Sequence, residues 1–217
     1  MITASVRISM YGLAQYHDEF VGVIGSFEKS LKALELLNKY KVGLGKATSV
    51  ITKYNINDLE KLNSLLKEMG IVHKLTALIY PTAKGDLSPT ELRISKEDTV
   101  KLIKKGIIDI HGSKCNAGMS RLRITPNGDV NPCELFRNVS FGNVLDKPIY
   151  EIIDSVDRKI WIENIKNELE NSECSGCSKL NYCTKCMGLS HLENGNLLLK
   201  TRSLCNLADA KIESMNI

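Results

Sequence analysis

Cys174-Ser-Gly-Cys177-Ser-Lys-Leu-Asn-Tyr-Cys183-Thr-Lys-Cys186 places four of the chain's seven cysteines in one short run, and the rest of the 217 residues is read outward from it. The other three are Cys115, Cys133 and Cys205, and none occurs before Cys115. Written as spacings, the pattern is C-x12-G-x4-C, a gap of forty residues, then C-x2-C-x5-C-x2-C-x18-C, with Gly128 as the embedded glycine. Two intervening residues let both thiolates of a C-x2-C pair face one metal. Cysteines confined to one half of a chain predict a metal-binding module joined to a cysteine-free scaffold.

The composition narrows the classes. Hydrophobic content of 43% and charged content of 25% are ordinary for a globular protein. The 29 Lys and Arg are interleaved with 25 Asp and Glu for a net charge of +4, with no long basic run, so nucleic acid is not an expected partner. No apolar stretch approaches the length of a membrane span, and the N-terminal residues lack the apolar core of a signal peptide. The expected location is therefore cytoplasmic. In a reducing compartment clustered cysteines are metal ligands before they are disulfides, and an odd count cannot pair fully within one chain.

Upstream of the cysteines, strand-like and helix-like patterns alternate. Ala4–Tyr11 alternates apolar and polar residues and predicts a strand, followed by a loop over Gly12–Gly25. Ser26 is a candidate N-cap for a helix carrying Phe27, Leu31, Leu34, Leu37 and Tyr40 on one face. Lys41–Thr52 predicts a second strand. Asn57 with Glu60 resembles a capping box for a helix with Leu59, Leu62, Leu66 and Met69, ending at Gly70. Ile71–Tyr80 predicts a third strand, a polar loop follows, and Ser95 with Asp98 opens a helix stopped by Gly106. Such repeats predict βαβ units around a parallel sheet. Three units fall short of closing an eight-stranded barrel.

Past Cys115 the pattern changes. Arg121–Thr125 and Asp129–Cys133 flank Asn127-Gly128 and predict a β-hairpin that brings Cys115 and Cys133 to one site. Residues 148–170 predict a helix from Pro148 burying Ile152, Ile153, Val156, Ile160 and Ile165, with Trp161 beside them. Asn194-Gly195 predicts a second hairpin returning the chain to Cys205. Seven thiolates nearly fill two four-ligand sites, and from ligand chemistry alone zinc and iron–sulfur stand equally open. The short insert between Cys177 and Cys183 weighs against one simple zinc ribbon.

The cysteine spacing closely resembles the SPASM domain, the C-terminal extension of radical S-adenosylmethionine (SAM) enzymes that modify peptides and proteins. Val6-Arg-Ile-Ser-Met-Tyr-Gly12, His17-Asp18-Glu-Phe-Val-Gly22 and Gly25-Ser-Phe-Glu-Lys29 are similar to the later half of a radical SAM barrel. The resemblance implies an α/β fold: a partial (β/α) barrel of about three units over residues 1–110, then a small cysteine-rich α+β SPASM-type domain with β-hairpins over 111–217. It implies two auxiliary 4Fe–4S clusters, one held by Cys174, Cys177, Cys183 and Cys205 and one by Cys115, Cys133 and Cys186. The family commonly has three residues between the last two cysteines of the block, where this chain has Thr184 and Lys185. Three cysteines at the second cluster leave its fourth ligand to come from elsewhere, or an open iron.

The family's SAM-cleaving motif, C-x3-C-x2-C, is not in these 217 residues. The resemblance therefore implies a C-terminal portion, from a truncated reading frame, an internal start or a split enzyme. Such a portion is inactive alone and uses SAM only when the missing barrel half is supplied. Expected partners are a peptide or protein substrate, that half or a partner subunit, and an electron donor, with oxidoreductase-type peptide maturation as the activity. The alternative is a non-catalytic zinc-binding interaction module.

Several residues carry two readings. His17 and Asp18 either line a catalytic face or cap the following segment, and the capping reading is preferred. Ser9 and Met10 lie where the family contacts SAM, yet suit an ordinary strand. Lys46 and Thr48 are candidates for a barrel interior. His73, His111 and His191 are candidate ligands whose simpler role is a local hydrogen bond. Arg121, Arg123 and Thr184–Lys185 either neutralise cluster charge or face water.

Overall fold

The computed structural model describes residues 6–41, 45–197 and 199–215. They fall into two compact units: residues through Ile79 with Thr90–Asp109, and Tyr80–Pro89 with the chain from Ile110 onward.

The first unit is α/β with a parallel sheet. Its strands β1 (Arg7–Ser9), β2 (Lys46–Val50) and β3 (Val72–Thr76) lie in that order, all parallel. The expected strands shorten at their ends, and Ala4 and 42–44, including Gly43, lie outside the described residues. On the central strand Ala47 and Ser49 are buried, while Lys46 and Thr48 are half-buried. Helices α2 (Ser26–Tyr40) and α3 (Ile56–Glu68) make the crossovers, and α4 (Lys96–Lys104) follows the third strand. Leu59, Leu62 and Leu66 of α3 are at most 2% exposed, each contributing about 2 kcal/mol of burial. On α2, Phe27 and Leu34 are buried but Tyr40 is exposed, because the apolar stripe drifts off the contact face at the last turn.

The expected loop over Gly12–Gly25 instead contains helix α1, Ala14–Val21. The capping assignments shift with it. Gly25, not Ser26, is the N-cap of α2, and the cap hydrogen bonds come from Asp18. Its carboxylate accepts from the Gly25 N–H (2.6 Å), the Ser26 hydroxyl (2.9 Å) and the Phe27 N–H (2.8 Å). His17 is 2% exposed, and its Nδ1 accepts from the Tyr11 N–H at 3.1 Å. His17 and Asp18 thus cap backbone.

Helix α3 starts earlier than expected, because its N-cap is Asn55 and not Asn57. The buried Asn55 amide accepts from Thr52 N–H and donates to the carbonyls of Tyr11 and Val50, tying together the ends of β1 and β2. Ser95 caps α4 as expected, its hydroxyl accepting from the Asp98 N–H at 3.0 Å.

The second unit carries β4 (Arg123–Ile124) and β5 (Val130–Asn131), paired antiparallel, with helices α5 (Ile149–Ile153), α6 (Val156–Glu170), α7 (Met187–Asn194) and α8 (Arg202–Met215). The hairpin tip is looser than a two-residue turn. Gly128 takes φ +88° while Asn127 keeps a negative φ, and Gly128 N–H donates to Thr125 O at 3.0 Å. The single helix expected over 148–170 breaks at Asp154, where Ser155 caps α6 by accepting from Arg158 N–H. Ile152 and Ile165 are buried, whereas Ile153, Val156 and Ile160 are exposed, since the break rotates their face outward. The second expected hairpin is absent from the described residues. Gly195 is the C-cap of α7, and Cys205 rides on α8.

No helix among the described residues is long and apolar enough to cross a membrane.

Candidate metal centre

All seven cysteines are free thiols of the second unit. Cys174, Cys177 and Cys183 lie in consecutive turns, stitched by Cys177 N–H to Cys174 O (3.1 Å) and Cys183 N–H to Lys179 O (3.0 Å). Turns suit ligands because they aim successive side chains toward one side without a sheet or helix partner. Cys205 approaches from α8, which is tied to the same turns by the Lys179–Asp209 ion pair. Cys186 is the N-cap of α7, and Cys133 follows β5.

The thiols sort electrostatically into two groups. Burial raises the Cys183 pKa, and the Cys205, Cys174 and Cys177 thiols raise it further. Burial raises that of Cys205 too, with Cys174 and Cys177 adding to it. Burial pushes Cys186 up to about 11, aided by Cys115 and Cys133. Cys133 is raised first by burial, with Glu134 and Cys115 contributing. One group is thus Cys174, Cys177, Cys183 and Cys205, and the other is Cys115, Cys133 and Cys186. Among the described residues no three His, Cys, Asp or Glu donors converge as around one bound ion.

Within each group a thiolate disfavours its neighbours, so several can ionise together only beside positive charge. A bound metal supplies that charge and deprotonates coordinating thiols outright. The donor set therefore fits a thiolate-bound metal group.

The trio opens on a cavity of about 290 Å3, whose lining includes Cys115, Cys133, Cys186, Tyr80, Arg121 and Lys185. The floor is apolar. Ala117, Cys133, Phe136, Ile165 and Met187 form one buried cluster, with Trp161 packed edge-on to Phe136 at 4.9 Å. Trp161 also donates from Nε1 to Ala117 O at 3.1 Å. Arg158 donates to three carbonyls, Gly118 (2.8 Å), Met119 (2.7 Å) and Ile153 (2.7 Å), which fixes the segment between Cys115 and the hairpin.

A short parallel contact links the two groups. Gly112 N–H donates to Asn181 O (2.8 Å), Ser113 N–H to Cys183 O (3.1 Å) and Lys185 N–H to Ser113 O (3.0 Å). Gly112 is required here, because a Cβ would stand 2.4 Å from the Cys183 carbonyl oxygen.

Other expected residues are placed elsewhere. His73 belongs to the first unit, 2.7 Å from Ser49 Oγ and 3.1 Å from Asn63 Oδ1. His191 stacks on Phe136, and the His111 carbonyl accepts from Lys211. Arg121 pairs with Glu134 at 2.8 Å, and Arg123 donates to Asn131. Lys185 is 8% exposed, its stem enclosed and its side chain lining the cavity of the trio. Tyr80 was not singled out from the sequence, lying at the end of an expected strand. Its pKa is pushed up to about 12, first by burial and then by Cys186 and Glu134.

Comparison with known proteins adds a domain name. Residues 115–178 match SPASM, the iron–sulfur cluster-binding domain. Cys183, Cys186 and Cys205 lie beyond the matched span. The chain is 25% identical over 221 residues to the AdoMet-dependent heme synthase of Methanosarcina barkeri, covering 85% of this chain and 62% of that protein. It is 25% identical over 191 residues to the antilisterial bacteriocin subtilosin biosynthesis protein AlbA of Bacillus subtilis, covering 80% and 42%. Among solved structures, native anSMEcpe with bound AdoMet and a peptide superposes with a TM-score of 0.66 at 18% identity, covering 97% of this chain and 66% of that one. At that identity the likeness establishes fold. The chain spans less than two thirds of each of these relatives.

Proposed function

We propose that this chain is the auxiliary-cluster part of a radical SAM/SPASM enzyme that modifies a ribosomal peptide or protein. The observation that carries the reading is that seven buried and half-buried thiols share one unit, Cys115, Cys133 and Cys186 lining one cavity and Cys174, Cys177 and Cys183 lying in consecutive turns. Cys174, Cys177, Cys183 and Cys205 would hold one 4Fe–4S cluster and Cys115, Cys133 and Cys186 the other. Such clusters supply one-electron relay, or an iron site where substrate binds.

The chain's own residues then have definite tasks. Ala117, Phe136, Ile165 and Met187 keep water from the back of the trio. Arg158 and Trp161 hold the segment after Cys115 against α6. Tyr80 keeps its proton across the physiological range and offers a hydroxyl at the cavity. The three strands of the first unit correspond in this reading to part of a (β/α) barrel, and residues 1–110 and 111–217 to its two domains. A C-x3-C-x2-C segment beyond these 217 residues, on the same or another polypeptide, would supply the SAM-cleaving cluster. The peptide substrate follows the bacteriocin relative and the peptide in anSMEcpe, while the heme synthase carries a different product in its name.

Anaerobic reconstitution with iron and sulfide tests the reading. The expected product absorbs broadly near ~400 nm and holds about eight irons per chain, from two four-iron clusters. A colourless protein with stoichiometric zinc supports the interaction-module alternative instead.

A further inference from the structure

Lys185 is 8% exposed, and among the described residues neither a carboxylate nor a hydrogen-bond acceptor takes its ammonium. The stem is enclosed, while the Nζ keeps its contact with solvent at the cavity, so the charge stays ionised and unpaired beside the thiols. Its backbone position is fixed, since its N–H donates to Ser113 O and its neighbour Thr184 bridges Ser113. In sequence it stands between Cys183 of the quartet and Cys186 of the trio. The side chain lines the cavity with Cys115, Cys133 and Cys186, and its charge also acts on Cys183, opposing the rise in that thiol's pKa. Other cations in the cavity wall are differently engaged. Arg121 is paired with Glu134, and Lys114 is exposed to solvent screening.

We propose that Lys185 is the shared counter-cation of the two cysteine sites and raises the reduction potential of the clusters they hold. The proposal rests on the two-cluster reading above. Reducing such a cluster adds one electron from an external donor, without making or breaking a bond. The added negative charge is more stable beside a cation held in the cavity wall, and net charge is a principal determinant of cluster potential. Lys185 is in this sense a positioning charge and not a catalytic residue.

The test is a redox titration with dithionite, followed by electron paramagnetic resonance, on reconstituted wild-type, Lys185→Gln and Lys185→Arg chains, with iron counted in each. In Lys185→Gln the reduced-to-oxidised ratio at a fixed potential should fall about tenfold, or about 59 mV for a one-electron couple. Lys185→Arg should stay near wild type. Full iron with unchanged potentials in Lys185→Gln overturns the proposal. If Lys185→Gln fails to load iron while Lys185→Arg loads it, the charge is required and the proposal stands. If neither loads, the shape of lysine and not its charge is what matters, and the proposal is wrong. A wild-type chain that binds no iron refutes the two-cluster reading itself.

Discussion

Replacing Gly112 by alanine puts a methyl group 2.4 Å from the Cys183 carbonyl oxygen, 2.8 Å from the Cys183 nitrogen and 2.9 Å from the Asn181 oxygen. All three are main-chain atoms, so no side chain can swing aside to relieve the clash. The segments at 112–113 and 181–185 must part, loosening the hydrogen bonds from Gly112 to Asn181 and from Ser113 to Cys183. Overpacking of this kind destabilises by about 1–3 kcal/mol. Two weakened hydrogen bonds add about 1 kcal/mol each. The sum, about 3–5 kcal/mol, is a large share of the roughly 5–15 kcal/mol that holds a domain folded. Trp161 is the only tryptophan and lies in the second unit, so its fluorescence reports that unit's urea unfolding. With a slope of about 1.5 kcal/mol per molar urea, the midpoint should fall by about 2–3 M. The same contact links the quartet and the trio, so iron loading should fall as well. A midpoint shift below about 0.5 M with full iron loading would refute the close-approach reasoning.

The first unit should lose stability as pH falls. Burial lowers His73 from 6.5 to about 4, so the unfolded chain binds a proton that the folded unit refuses. The stabilisation is complete above about pH 6.5 and disappears toward about pH 4; allowing for solvent screening, it amounts to about 2 kcal/mol. Circular dichroism across that range checks it, and His73→Gln should flatten the slope. Arg158→Ala should destabilise the second unit by about 2–3 kcal/mol, because three carbonyls lose a charged donor. Lysine at that position should recover only part, since it lacks the forked geometry; a urea midpoint equal to wild type in Arg158→Ala contradicts this.

The parallel α/β half was readable because strand alternation and helical leucine spacing both report burial. Leu59, Leu62 and Leu66 face the core as their spacing requires. Local pattern misleads where tertiary contacts override it. Asn55 outcompetes Asn57 as helix start because its amide reaches two distant carbonyls, which no local motif announces. Helix α1 was hidden by glycines on either side and a mixed composition. At Asn194-Gly195 the glycine does adopt a left-handed turn, but as a helix C-cap, a role that dipeptide also serves. For the candidate site, cysteine spacing revealed which residues bear chemistry. It did not reveal that Tyr80 lines the cavity of the trio, or that the Lys185 stem is enclosed there, because both depend on contacts remote in sequence.

The most direct measurement is iron content after selective removal of each thiol group. In Cys174→Ala/Cys177→Ala and separately in Cys115→Ala/Cys133→Ala, iron should fall from about eight to about four per chain, one four-iron cluster surviving each time. Loss of all iron in either variant, with the unmutated unit still folded, or undiminished iron in both, would contradict two independent cluster sites.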